Sequence, residues 1–112
     1  MSILKSLHSI EEVDEFVAGK GLSVLYVSRQ GCSVCHGLYP QVEELLEDYP
    51  EIEARHVDTD QLPEVAGQYS VMTVPAVLVY SEGKEWFRKA RFVPIGELNA
   101  QLAKLNHFIN EE

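Results

Sequence analysis

The sequence predicts an α/β fold: a mixed central β-sheet flanked by helices, in the order βαβαβαββα. Three observations lead there. Short runs of β-branched and aromatic residues alternate with segments whose apolar residues recur at helical spacing. That early alternation implies parallel strands joined by right-handed crossovers, whereas the last two strands are separated only by a turn and must pair antiparallel. Finally, 112 residues fit one domain spanning 1–112, and a 46% hydrophobic content can fill its core without help from a disulfide or a metal.

Each element has a local reason. Ile3 to Leu7 reads as a short first strand. Ser9 with Glu12 makes a capping box, in which each side chain takes a free backbone donor at a helix start. Ile10, Val13, Phe16 and Val17 then share one helical face, and Gly19 ends the helix. Leu22 to Ser28 reads as a buried strand. After a turn at Arg29, Gln30 and Gly31, a second helix carries Leu38, Val42, Leu45, Leu46 and Tyr49 on one stripe, with Pro40 expected to kink it. Ile52 to Val57 is the third strand. Pro63, at a first helical position, starts a short helix that runs to about Tyr69. Strands at Ala76 to Tyr80 and Glu85 to Arg91 are joined through Glu82, Gly83 and Lys84. The last helix opens near Pro94, with Ile95, Leu98, Leu102, Leu105 and Ile109 on one face.

Charge narrows the function classes. Eighteen acidic against nine basic residues give a formal charge of −9, which repels nucleic acid and anionic membrane surfaces. The acidic residues, in Glu11 to Glu15 and Glu43 to Glu53, read as solvated helix faces. Lys5 and His8 interrupt the early apolar residues before a signal-peptide core can form, and Val24 to Val27 is too short to span a bilayer. A cytoplasmic monomer is therefore expected, with no nucleic-acid or membrane partner.

Cys32, Ser33, Val34 and Cys35 follow a predicted strand and open a predicted helix. A C-x-x-C in that position of a βαβ unit reads as a redox motif. Free backbone donors and the positive end of the helix dipole stabilise a thiolate there, supplying nucleophile at neutral pH. Cys32, nearest the terminus, is the expected attacking sulfur. Cys35, one turn in and deeper, would resolve the mixed disulfide.

With these elements in place, the chain resembles the thioredoxin family over nearly its whole length. It has the element order, the C-x-x-C at the second strand–helix junction, and Val74-Pro75 opening the fourth strand at near the family's interval from Cys35. The resemblance implies a thioredoxin fold and thiol–disulfide oxidoreductase activity without a cofactor. Its implied partners are disulfide-containing proteins and a reductant or reductase. It also implies that Pro75 is cis and packs beside the cysteines, and that Val74 offers its backbone to an extended substrate. Thr73, Gly31 and Arg91 would border the same groove.

The chain departs from that family's pattern at its tuning residues. Gly31 replaces a tryptophan, and Ser33 and Val34 replace Gly-Pro between the cysteines. Tyr26 stands where a buried acid is usual, Ala54 where its lysine partner is usual, and Arg91 and Thr73 where glycines are usual. With an ordinary pKa of about 10, Tyr26 is a poor base and reads as a core tyrosine with a satisfied hydroxyl. Arg29, His36 and Arg91 are candidates for lowering the Cys32 pKa, against the alternative of solvated surface groups.

Other chemistries share these residues. Cys32, Cys35 and His36 also spell the attachment pattern of c-type haem, for which Met72 is the nearby second ligand. Zinc would need four ligands, and His8, His56 and His107 lack ligand spacing, so no metal is expected and these histidines read as surface or hydrogen-bonded core. A non-enzymatic alternative is a redox-sensing or interaction module that keeps the fold without efficient turnover.

Overall fold

The computed structural model describes residues 3–110. Five strands form one sheet in the order β1-β3-β2-β4-β5. β2 (Ser23–Ser28) lies parallel to β3 (Glu53–Asp58), which in turn lies parallel to β1 (Lys5–Ser6). On its other side β2 pairs antiparallel with β4 (Ala76–Ser81), and β4 pairs antiparallel with β5 (Lys84–Ala90). The helices are α1 (Ile10–Val17), α2 (Ser33–Leu46), α3 (Glu64–Gln68) and α4 (Ile95–Asn110). The predicted order and mixed sheet are both present.

Strand alternation splits the core into two layers. Val24, Tyr26, Ala54, Val77 and Val79 face α2 and α4, meeting Leu38, Val42, Leu46, Leu98 and Leu102. Leu25, Val27, Val57, Ala76 and Leu78 face the other way, against Val13 and Val17 of α1 and Val65 of α3. β2 and β4 are buried along their whole lengths, which explains their unbroken apolar character.

Several boundaries differ from the sequence expectation for identifiable reasons. β1 shrinks to Lys5–Ser6 because the Ile3 and Leu4 N–H groups point to the Glu43 carboxylate, at 3.2 and 3.5 Å, instead of a neighbouring strand. α2 runs on through Pro40 but ends at Leu46, so Tyr49 leaves the helical stripe. Its ring still packs on the α2–α4 layer, and its hydroxyl donates to Asn99 Oδ1 at 2.7 Å. Pro63 caps α3 instead of occupying its first turn. The β4–β5 turn uses only Glu82 and Gly83, at φ 53° and 82°, so Lys84 joins β5. Arg91 falls outside β5 because its φ of 66° breaks the extended run. The capping box of α1 is present with a shift: Glu12 N–H donates to Ser9 Oγ, but the Glu12 carboxylate takes the N–H of His8.

Among the described residues no helix is long and apolar enough to cross a membrane.

Candidate active site

β2 ends at Ser28, the chain turns over Arg29 to Gly31, and Cys32 becomes the N-cap of α2 with extended backbone, φ −100° and ψ 98°. That geometry leaves the first N–H groups of the helix without helical acceptors, and Cys32 Sγ takes one of them, from Cys35 at 3.1 Å. Cys32 and Cys35 are joined by a disulfide, with Cα atoms 5.2 Å apart. Cys32 is half-buried and Cys35 is 1% exposed, so Cys32 is the more accessible of the two.

Tyr26 lies directly beneath the pair. It is 0% exposed, and its hydroxyl donates to the Cys35 carbonyl at 2.6 Å. Burial, reinforced by neighbouring Tyr39, pushes its pKa far above the ordinary value. The phenol therefore stays protonated: it anchors the start of α2 and cannot act as a base near neutral pH. Ala54, two register pairs away on β3 and opposite Val24, is buried in the same layer.

A second feature of the site was not expected. Ser28, His36, His56, Tyr39 and Asp58 line a cavity of about 260 Å³ together with Cys35, Arg29 and Gln30. His56 pairs with Tyr26 in the β2–β3 register and sits between two hydroxyls, Ser28 Oγ at 2.6 Å from Nε2 and Ser6 Oγ at 3.1 Å from Nδ1. Burial lowers its pKa, Asp58 opposes that, and His36 adds to it. The sequence carries one partial signal, a histidine inside a predicted strand, which reads as surface or hydrogen-bonded core. What it could not show is that the strand register sets this ring behind Cys35.

On the other side of the turn, Val74-Pro75 is a cis peptide bond, as the family resemblance implies, and Pro75 is buried. The Pro75 carbonyl accepts the Arg91 N–H at 2.7 Å. Thr73, Val74 and Arg91 line a groove of about 410 Å³ with Arg29, Thr59 and Met72. Three of the five residues expected at a substrate groove thus come together, with Pro75 beneath them. Gly31 is exposed beside Cys32, and a Cβ there would meet nothing within 4 Å.

The basic residues divide between the two spaces. Arg29 borders both, Arg91 only the groove, and His36 only the cavity, where its Nε2 lies 2.8 Å from the Gln30 carbonyl. Met72, the second ligand a haem would need, is 88% exposed at the groove. Among the described residues no three His, Cys, Asp or Glu side chains converge as a metal site.

The family model described as Thioredoxin matches residues 6–108. The thioredoxin-like protein YdfQ of Bacillus subtilis is 38% identical over 105 residues, covering 94% of each chain. A thioredoxin of Mycoplasmoides gallisepticum is 26% identical over 99 residues, 88% of this chain and 99% of its own. The crystal structure of Fasciola hepatica thioredoxin superposes with a TM-score of 0.82 at 27% identity, over 90% of this chain and 98% of that one. Oxidised mitochondrial thioredoxin 3 of Saccharomyces cerevisiae shares the fold, with a TM-score of 0.80 at 16% identity over 90% and 94% of the chains.

Proposed function

The chain belongs to the thioredoxin family and is a thiol–disulfide oxidoreductase, and from that premise we propose that it turns over disulfides in protein substrates. Cys32 attacks and Cys35 resolves. The observation that carries this assignment is the asymmetry of the pair: Cys32 caps α2 half-exposed, whereas Cys35 is 1% exposed behind it. The substrate sulfur exchanges onto Cys32, one substrate thiolate leaves, and Cys35 then displaces the second as the intramolecular disulfide forms.

Support for the substrate class comes from the groove. The peptide groups of Thr73 and Val74 take no backbone hydrogen bond among the described residues, so they are open to pair with an extended segment. Pro75 and Arg91 set the edge of that segment's path. We read residues 1–112 as one such domain, since the family match spans 6–108 and one sheet takes every described strand. A cytoplasmic setting and a partner reductase belong to the same proposal, because a reducing compartment keeps the dithiol ready to attack.

Insulin reduction by dithiothreitol tests it. With catalytic protein, precipitation of the freed B chain is expected to begin earlier, in proportion to protein added. A single stoichiometric oxidation without turnover would replace the enzyme by a redox-sensing module.

A further inference from the structure

Arg29 follows β2 and Arg91 follows β5, yet both line the groove beside Pro75. Neither guanidinium has an ion pair or hydrogen bond among the described residues, whereas Arg55, Arg88 and Lys89 each pair with a glutamate. No acidic side chain lines the groove, in a chain of net charge −9. The nearby Asp60 carboxylate is turned to the Gln30 N–H at 3.1 Å.

Arg91 also holds a left-handed backbone, φ 66°, which glycine adopts freely and a residue with a Cβ does not. Its N–H is fixed to the Pro75 carbonyl at 2.7 Å, so the costly conformation places its side chain beside the expected substrate path. A bulky residue kept in a strained conformation at a working groove is an outlier that points to function.

Resting on the oxidoreductase reading above, we propose that this groove selects disulfides whose flanking residues are acidic, with Arg29 and Arg91 binding carboxylates of an extended protein segment. Guanidinium groups match carboxylates with two parallel hydrogen bonds, which fixes register as well as attracting charge. The net charge of −9 disfavours such a partner over the surface as a whole, so two unpaired arginines in a groove without acids favour its approach there. A polypeptide fits better than a small anion because the free peptide groups of Thr73 and Val74 call for a strand. Met72, in the groove, and Phe92, next to Arg91, are 88% and 77% exposed and add apolar contact for a longer segment.

The test uses three peptides, each closed by one disulfide and differing only in glutamate, glutamine or lysine beside the cysteines. Pre-reduced protein passes two electrons and two protons to the peptide disulfide and ends as the Cys32–Cys35 disulfide, so quenched chromatography gives each second-order rate constant. The glutamate peptide is expected to react at least about tenfold faster than the lysine peptide at low salt, with the ratio falling as salt screens the groove. The double variant Arg29→Gln, Arg91→Gln is expected to bring the ratio near one, and Arg91→Lys to retain part of it. Within one variant every peptide meets the same thiolate, so the ratio is blind to changes in the Cys32 pKa. Equal rates in the native protein, or an unchanged ratio in the double variant, overturn the proposal. Equal reduction of all three leaves the oxidoreductase reading standing; reduction of none removes both.

Discussion

Replacing Arg91 with glycine removes a backbone penalty that the native chain carries. At φ 66° the Cβ of Arg91 crowds its own backbone, which costs a residue other than glycine about 1–2 kcal/mol. Glycine returns part of this gain by loosening the unfolded chain, about 0.5–1 kcal/mol. Little else changes: the Arg91 side chain is exposed, has no partner to lose, and the N–H bond to Pro75 is a backbone bond. The balance is a net stabilisation of about 0.5–1 kcal/mol, equivalent to a melting-temperature rise of about 3–5 °C for a domain of this size. Urea denaturation of the reduced protein reads it as a higher midpoint at unchanged slope. Glu82→Gly, at φ 53° in the β4–β5 turn, offers a comparison far from the groove and should gain similarly. An unchanged or lower midpoint for Arg91→Gly, with the slope constant, would show instead that packing of the arginine stem offsets its backbone cost.

Three further outcomes follow from the site. Cys35→Ser should accumulate mixed disulfides with lysate proteins that thiol reductant dissolves, and Cys32→Ser should trap far less; non-reducing electrophoresis reads both, and equal trapping would remove the assignment of roles. Tyr26→Phe deletes the hydroxyl bound to the Cys35 carbonyl at 2.6 Å and should lower unfolding free energy by about 1 kcal/mol, seen as a lower urea midpoint. His56 has a folded-state pKa below its unfolded value, so the unfolded chain binds more protons below pH of about 6.5 and stability falls with pH through that window. His56→Gln should flatten the stability curve between about pH 7 and pH 5, measured by denaturation at each pH, while an equally steep curve would assign the effect to other groups.

Much of this protein is legible along the chain. The capping serine of α1, the apolar run of β4, the glycine turn after it and the heptad-like leucines of α4 act over a few residues, and each produces its element near the expected place. The C-x-x-C is legible for the same reason, since its meaning depends only on lying between a strand and a helix. The errors cluster where a distant group competes for a local one. Glu43 takes the N–H groups that would have lengthened β1, and a left-handed Arg91 cuts β5 short.

Element order, the two faces of the sheet and the cysteine that caps α2 can be read along the chain, because period, turn chemistry and capping are local properties. The surroundings of those cysteines arise from the assembly of distant elements. Strand register places His56 opposite Tyr26 and against Ser28, and chain crossing brings Arg29 and Arg91 into one groove from the ends of two different strands. Contacts of that kind depend on how separate elements dock, and docking is set by the burial of whole faces, which no short stretch of residues encodes.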